Sequence, residues 1–304
     1  MSNPFFSVVI PTYNCEQYIE ETINSVLNQT FKDFEILIVD DASTDNTIQK
    51  IENFKDKRIK LYINKKNQGP SYTRNRAISL CKGKWIAILD SDDLWDRKRL
   101  EVMFKNINFS KGDIYLDNIM FFYDGEEHTF LNYFKFKNIK INTTKSISIE
   151  EVLKHDLGIL QPIVRKEFLL SKNISYPQNI KYGEDLYFIC ECIAKGAKTI
   201  LVNYNGYFYR IRANSLVKNK IELFDQLTEV LLLIETSFSG KNKVQIGQLI
   251  NKRINEIRFL YQINLIINKQ LRTKKVNSEC LKKHIPFTMY FWLFFSKISE
   301  KIRC

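Results

Sequence analysis

The amino-acid sequence predicts an α/β protein, in which a sheet is flanked by helices and followed by an α-helical C-terminal extension. Two observations support this fold class. In the N-terminal part of the chain, short apolar runs alternate with segments of helical periodicity, and after about Asn219 the helical periodicity continues to the end. A chain of 304 residues, 44% of them hydrophobic, can also bury a substantial core. We therefore expect a first domain over residues 1–218 and a helical region over residues 219–304.

The alternation predicts strands joined by helices, and consecutive units of this kind form a right-handed parallel sheet that is covered on both faces. Further strand-like sequence follows from Asp113 to Phe136. The predicted strands are Phe6–Ile10, Phe34–Val39, Arg58–Ile63, Lys84–Leu89 and Tyr204–Arg212. The predicted helices are Glu16–Gln29, one ending near Phe54, Pro70–Cys81, Ile149–Lys154, Lys166–Leu170 and Asp185–Lys195.

Polar sequence follows each of the first four predicted strands: "PTYN", "DDASTD", "NQGPS" and "DSDD". Ligands of open α/β sheets bind outside the carboxyl ends of the strands, so we expect these clusters to share one rim. The segment after the first strand, Pro11–Cys15, contains no glycine, and a phosphate-binding loop of the dinucleotide or P-loop type is therefore excluded there.

Three carboxylates, those of Asp90, Asp92 and Asp93, directly follow an apolar run. Carboxylates this close repel each other unless a cation lies between them. Oxygen ligands favour Mg²⁺ or Mn²⁺, which proteins commonly hold with one or two carboxylates plus substrate phosphates. The competing interpretation is that Asp92 and Asp93 cap a helix beginning near Trp95, since aspartate is a preferred capping residue.

Several segments together resemble the family 2 inverting glycosyltransferases of the GT-A fold that build bacterial surface polysaccharides: "SVVIPTYN", "ILIVDDASTDNT", "NQGPSYTRNRAI", "GKWIAILDSDD" and "YGEDLYF". The resemblance implies a Rossmann-like mixed sheet that binds a nucleotide sugar. It also implies transfer of one sugar, from a UDP-hexose or UDP-N-acetylhexosamine donor, to a hydroxyl of a glycan or lipid-linked oligosaccharide. The products would be capsule, O-antigen, lipooligosaccharide or exopolysaccharide.

The resemblance also implies which residues bind the nucleotide. The second acid of the Asp40–Asp41 pair would accept the N3–H of uracil, because a carboxylate is a strong acceptor. The cation of Arg74 would offset diphosphate charge, although a structural ion pair is the alternative. The full set implied for the nucleotide is Pro11, Thr12, Tyr13, Asp40, Asp41, Asn67, Gly69, Arg74 and Asp90.

In the same resemblance, Asp92 is the direct ligand of Mn²⁺ or Mg²⁺, and Asp90 contacts the ribose or the surroundings of the ion. Asp185 is the general base and Glu184 orients it or meets acceptor hydroxyls. The alternative is that both acids only favour a helix N-terminus through its dipole. The residues implied for donor-sugar or acceptor contacts are Asp93, Asp117, Asn118, Gln161 and Arg212.

Arg212 departs from the family pattern, because a histidine is frequent at that position. A guanidinium cannot ligate a divalent metal, although it can pair with phosphate. The third protein ligand of the metal is therefore left open.

The formal net charge of +12 indicates anionic partners. Basic residues are spread along the chain without a recognition motif, so we expect no nucleic-acid partner. The segment 284–304 combines a short apolar, aromatic stretch with flanking lysines, and it is too short to span a bilayer. It fits either an anionic membrane surface or a packed helix, with homo-oligomerisation left open.

The N-terminus lacks the features of a signal peptide, which predicts a cytoplasmic enzyme, peripheral on the inner face of the membrane if the tail binds there. Two other functions remain open at this stage. One is a nucleotidyltransferase acting on sugar phosphates, and the other is a non-catalytic, membrane-bound scaffold of the same fold.

Overall fold

The computed structural model describes the backbone of residues 3–126, 128–212 and 220–272. The chain divides into two compact units, Met1–Arg210 and Ile211–Cys304. The division falls at Arg210, somewhat before the boundary at residue 218 that the sequence suggested.

The first unit contains two sheets. Each strand is short, and the inner strands are built from apolar residues that are buried on both faces, as is typical of parallel sheets. The strands are β1 (Phe6–Thr12), β2 (Phe34–Asp40), β3 (Ile59–Ile63), β4 (Trp85–Ile88), β5 (Leu94–Trp95), β6 (Ile114–Leu116), β7 (Ile119–Tyr123), β8 (Thr129–Asn132), β9 (Lys145–Ile147), β10 (Ile163–Arg165), β11 (Thr199–Leu201) and β12 (Tyr207–Ile211).

The larger sheet has eight strands in the order β3-β2-β1-β4-β10-β6-β11-β9. β1 runs parallel to both β2 and β4, whereas β10 runs antiparallel to β4 and β6. The sheet is therefore mixed, which confirms the expected fold class, and all residues of β1 and β2 are buried. The parallel half places the carboxyl ends of β1, β2 and β4 at one edge.

Helices pack on this sheet, and their apolar faces form the core with it. α1 buries Ile19, Ile23 and Val26, and α3 contacts β1 and β2. The helices of the first unit are α1 (Ile19–Leu27), α2 (Thr47–Glu52), α3 (Pro70–Leu80), α4 (Arg99–Ser110), α5 (Tyr133–Phe136), α6 (Ile149–His155), α7 (Lys166–Ser171) and α8 (Glu184–Ala194).

The smaller sheet has four strands in the order β5-β12-β7-β8. Its first strand lies where one interpretation of the sequence expected the start of a helix. Residues 94–95 form β5, which pairs antiparallel with β12 through Tyr207 and Trp95, and the next helix begins only at Arg99. Trp95 is buried and is committed to strand pairing. The interpretation of Asp92 and Asp93 as caps of a helix beginning near Trp95 is therefore wrong.

The second unit contains the helices α9 (Lys220–Thr236) and α10 (Gly240–Arg272), as the helical periodicity predicted. They contact each other and bury side chains that include Leu231, Ile234 and Ile250. Among the residues that the structure describes, no helix is long and apolar enough to cross a membrane. The predicted membrane-binding segment 284–304 lies outside the described residues.

Candidate active site

The first two polar loops are joined at the carboxyl ends of β1 and β2. Thr12 and Asp40 are partners in the strand register, and the backbone N–H of Asp41 donates to the carbonyl of Thr12 at 2.8 Å. Pro11 and Thr12 are buried, whereas the ring of Tyr13 is 47% exposed and is available to a ligand. Of the three residues predicted to contact the nucleotide here, Pro11 and Thr12 are packed inside the protein and Tyr13 has an exposed side chain.

The carboxylate of Asp41 organises the loop that follows β3. It accepts hydrogen bonds from the backbone N–H groups of Gln68 and Gly69, at 3.0 and 2.7 Å, and from the amide of Asn64 at 2.6 Å. Gly69 has a φ of +86°, a left-handed conformation that suits glycine. This arrangement brings the segment containing the exposed Asn67 beside Asp41.

The other member of the acidic pair, Asp40, is fully buried and accepts hydrogen bonds from the backbone N–H and the hydroxyl of Ser43. Burial raises the pKa of Asp40, and the hydrogen bonds from Ser43 oppose this effect. Asp40 therefore stabilises the loop after β2 through its hydrogen bonds with Ser43.

The guanidinium of Arg74 is the electrostatic centre of the rim. It lies 2.8 Å from Asp90 Oδ1 and 2.9 Å from Glu184 Oε1, with Asp185 Oδ1 at 3.7 Å. Arg74 itself is only 4% exposed, so little water screens these attractions. One cation from α3 thereby gathers the carboxylate after β4 and the two acids that open α8.

Gln161, placed just before β10, links the same carboxylates through its side-chain amide. Its Nε2 donates to Asp90 Oδ2 at 3.1 Å and to Asp185 Oδ2 at 3.3 Å. Burial raises the pKa of Asp185 to about 8, since the favourable charge of Arg74 is opposed by Glu184 and Asp90. A carboxyl group with a pKa near neutrality is suited to general base catalysis.

Asp93 is the buried member of the aspartate cluster, with an exposure of 2%. Its carboxylate accepts hydrogen bonds from the hydroxyl of Tyr207 at 2.7 Å and from the backbone N–H of Arg210 at 2.8 Å. Burial, with the charges of Asp92 and Asp90, raises the pKa of Asp93 well above its usual range. The protein therefore engages both oxygens of Asp93, and its predicted contact with a sugar stays a prediction.

Asp90 and Asp92 offer carboxylate oxygens to the divalent ion that the resemblance implies. Within the described ranges, no group of three or more His, Cys, Asp or Glu side chains forms a ready metal site. Asp92 is half-buried, whereas Asp90 is already paired with Arg74 and Gln161. Mg²⁺ is commonly held by one or two carboxylates together with phosphates, so these residues fit an ion that is shared with a diphosphate.

Comparison with protein families agrees with this geometry. The family model described as glycosyl transferase family 2 matches residues 7–167, which include the strand ends of β1, β2 and β4 as well as Gln161. The chain belongs to glycosyl transferase family 2. The family and the GT-A fold that the motifs predicted are both confirmed.

This glycosyltransferase is 32% identical over 229 residues to the UDP-Glc:alpha-D-GlcNAc-diphosphoundecaprenol beta-1,3-glucosyltransferase WfaP of Escherichia coli, covering 74% of this chain and 84% of that protein. It is 29% identical over 217 residues to the succinoglycan biosynthesis protein ExoO of Rhizobium meliloti, covering 70% and 62%. Its fold is similar to S. aureus TarS 1-349 in complex with UDP-GlcNAc, with a TM-score of 0.67 and 24% identity, covering 84% and 72%.

Asp117 of the glycosyltransferase lies in the interior of the protein. Its side chain is fully buried in an ion pair with Arg99, whose guanidinium lies 2.7 Å from Asp117 Oδ1 and also donates to the carbonyl of Gln161 at 3.0 Å. Arg99 is enclosed by the rings of Trp95 and Tyr207. Burial and this ion pair engage the Asp117 carboxylate within the protein, and its predicted contact with donor sugar or acceptor stays a prediction.

Asn118 is also used by the protein, since its Oδ1 accepts from the backbone N–H of Phe134 at 2.9 Å and its amide donates to Asn205 at 2.6 Å. It is 2% exposed and holds loops together. Arg212 follows β12, is half-buried and belongs to the second compact unit, and its predicted contact stays a prediction.

Three residues that shape the site were missed by sequence reasoning: Arg99, Tyr207 and Arg210. Each acts through partners far away along the chain, and such pairings leave no local pattern. A signal was available for Arg210, because it lies in the predicted strand Tyr204–Arg212, two residues before Arg212.

Proposed function

We propose that this glycosyltransferase is a metal-dependent, inverting hexosyltransferase that moves one sugar from a UDP-sugar to a hydroxyl of a glycan or lipid-linked oligosaccharide. The observation that carries the proposal is the convergence of Asp90, Glu184 and Asp185 around Arg74 and Gln161 at the carboxyl ends of the strands. This convergence brings the donor-side carboxylate and a base of raised pKa together in one site.

The name of the relative WfaP gives a UDP-glucose donor and a diphosphoundecaprenol-linked acceptor, and TarS is described with UDP-GlcNAc. These names support UDP-hexose or UDP-N-acetylhexosamine as the donor class here. In the proposed complex, the exposed ring of Tyr13 and the loop around Asn67 contact the nucleoside, and Asp41 lies at their base.

Asp92 would hold the Mn²⁺ or Mg²⁺ ion, which stabilises charge on the departing diphosphate. The guanidinium of Arg74 is placed to add a second positive charge, once the incoming phosphates compete for it with Asp90 and Glu184. Arg74 thus neutralises the neighbouring carboxylates before the donor binds, and afterwards it pairs with the donor.

Asp185 acts in the proposed reaction as the general base. The proton of the acceptor hydroxyl passes to its carboxylate while the acceptor oxygen bonds to the anomeric carbon. The bond between that carbon and the diphosphate oxygen breaks, and the nucleoside diphosphate leaves with the electron pair. A single displacement of this kind inverts the anomeric centre.

We also propose that the enzyme works in the cytoplasm, at the inner face of the membrane, where segment 284–304 contacts anionic headgroups. The supporting feature is the sequence of that segment, in which aromatic residues adjoin lysines.

A panel of nucleotide sugars tests the proposed function. Each donor is incubated with the full chain and Mn²⁺, Mg²⁺ or EDTA, and release of the nucleoside diphosphate and the thermal midpoint are measured. We expect one or a few UDP-sugars to raise the midpoint and to be hydrolysed slowly, with both effects lost in EDTA. If no donor produces either effect with metal present, the proposed function is wrong.

A further inference from the structure

Tyr207, on β12, joins two of the three clustered aspartates through one hydroxyl group. Its oxygen accepts the backbone N–H of Asp90 at 3.2 Å, and its O–H donates to Asp93 Oδ2 at 2.7 Å. Tyr207 is 1% exposed, so neither hydrogen bond competes with bulk water. The hydroxyl therefore holds the first and the last residue of the aspartate turn, which we define as residues 90–93.

Arg210, three residues after Tyr207 on the same strand, holds the same turn. Its backbone N–H donates to Asp93 Oδ1 at 2.8 Å, and its Nε donates to the carbonyl of Asp92 at 2.8 Å. Arg210 is 6% exposed, and its guanidinium lies over the rings of Tyr18 and Phe122. Its position is therefore well defined, and so is the position of the carbonyl that it binds.

The aspartate turn is closed by the N–H of Asp93, which donates to the carbonyl of Asp90 at 3.1 Å. Thr22 on α1 supports it from the other side, donating its hydroxyl to the carbonyls of Ser91 and Asp93. Asp92 lies between these anchored residues and is half-buried. The backbone of Asp92 is therefore held by hydrogen bonds to its own carbonyl and to the residues on either side of it.

We propose that Tyr207 and Arg210 are positioning residues, which fix the aspartate turn so that Asp92 meets the metal and the donor diphosphate in a productive geometry. This inference rests on the proposed function, because it assigns to Asp92 the role given above. It adds that a strand placed more than one hundred residues later in the chain sets the metal site, as the partners Asp93 and Arg210 are 117 residues apart.

The experiment compares Tyr207→Phe with the unaltered protein and with Tyr209→Phe. Tyr207→Phe keeps the ring that packs 5.1 Å from the guanidinium of Arg99 and removes only the hydroxyl. Tyr209→Phe makes the same chemical change on the same strand, where the ring packs against Phe121. Mn²⁺ binding is measured by electron paramagnetic resonance with UDP present, beside the thermal midpoint and steady-state kinetics.

We expect Tyr207→Phe to weaken Mn²⁺ binding in the presence of UDP by at least about fivefold, because the backbone N–H of Asp90 and the buried carboxylate of Asp93 lose their hydrogen-bond partner. Tyr209→Phe should bind Mn²⁺ as the unaltered protein does. A purely structural role for the Tyr207 hydroxyl would lower the thermal midpoint and leave the Mn²⁺ affinity of the folded protein unchanged. That result would overturn the proposal.

Arg210→Lys provides a second test that retains the charge and the backbone N–H to Asp93. Lysine lacks the Nε–H group that donates to the Asp92 carbonyl, so this hydrogen bond is lost. We therefore expect Mn²⁺ affinity to fall in this variant too. If Mn²⁺ with UDP fails to bind even the unaltered protein, the proposed function itself is wrong. If the unaltered protein binds Mn²⁺ and both variants match it, only the positioning role is wrong.

Discussion

Asp185 is the residue on which the proposed chemistry depends most directly. Replacing it with asparagine keeps the size of the side chain and removes the base, so we expect kcat to fall by a factor of about 10²–10⁴. Donor binding should remain, because the donor-side residues are unchanged. Sugar transfer and UDP-sugar affinity are measured separately, and a variant that keeps normal turnover would contradict the assignment of Asp185 as the base.

The raised pKa of Asp185 predicts how the rate depends on pH. A base must be deprotonated, and its pKa is raised to about 8, so kcat/KM of the unaltered enzyme should rise with pH and level off above that value. Asp185→Asn should lose this limb of the profile. A flat profile of the unaltered enzyme from pH 6 to 9 would place the titrating group elsewhere.

The same group makes an opposite prediction for stability. Its folded pKa lies above the unfolded value of 3.8, so the folded state binds the proton more tightly than the unfolded state does. The stabilisation is fully present below pH 3.8 and is lost as the pH rises through about 8. Compared with the unaltered protein, Asp185→Asn should therefore become relatively more stable as pH rises, measured by urea unfolding at several pH values.

Gly206 has no side chain because the buried ion pair occupies the space beside it. A methyl group there would overlap Asp117 Oδ2 and lie 2.8 Å from Arg99 Cγ. Both partners are fully buried and cannot move aside, so Gly206→Ala should lower the free energy of unfolding by about 1–3 kcal/mol. The control is Gly247→Ala, where the new methyl group meets the half-exposed, flexible end of Glu235. Equal losses in the two variants would contradict this explanation.

At the scale of secondary-structure elements, helix α8 begins directly after a glycine, and its first two residues are the acids of the site. Gly183 has a φ of +85°, and Glu184 and Asp185 follow as the first residues of the helix. Gly183→Ala should lower the free energy of unfolding by about 1–2 kcal/mol, because alanine is strained at a positive φ. It should also reduce kcat, because the backbone would relieve this strain by shifting Glu184 and Asp185.

Gly196 provides the matched control at the other end of α8. Its φ is +94°, and a methyl group there would meet no atom within 4 Å. Gly196→Ala should therefore cost a similar free energy through backbone strain alone and leave kcat near normal. Urea unfolding and single-turnover kinetics on both variants test the comparison, and a comparable loss of kcat in Gly196→Ala would remove the argument for α8.

Some of the helices, strands and loops could be predicted from the sequence and others could not. Apolar runs and helical periodicity gave most strands and helices, since burial acts on local patterns. The polar loops at the ends of β1, β2 and β4 were placed correctly because parallel topology brings strand ends together. The antiparallel β10, the pairing of Trp95 with Tyr207 and the buried Arg99–Asp117 pair were not predicted. Each depends on contacts between distant segments, which no local pattern records.

At the scale of the whole molecule, the net charge of +12 is spread along the chain and reaches beyond the catalytic cluster. A positive field of this kind raises the local concentration of an anionic donor and is screened by salt. We expect kcat/KM for the donor to fall as NaCl is raised at constant metal concentration. The value of kcat at saturating donor should change little, since charges in the partly buried site are screened less than exposed ones. A kcat/KM that does not depend on salt would exclude such steering.

In segment 284–304, Trp292 and several phenylalanines adjoin Lys297 and Lys301. Aromatic insertion combined with attraction to anionic lipid should bring the full chain to vesicles that contain phosphatidylglycerol, and much less to purely zwitterionic vesicles. A chain shortened by removal of residues 284–304 should remain unbound in the same flotation assay and still transfer sugar to a soluble acceptor. If the shortened chain floats as well as the full one, the segment does not bind the membrane, and its aromatic residues pack against protein instead.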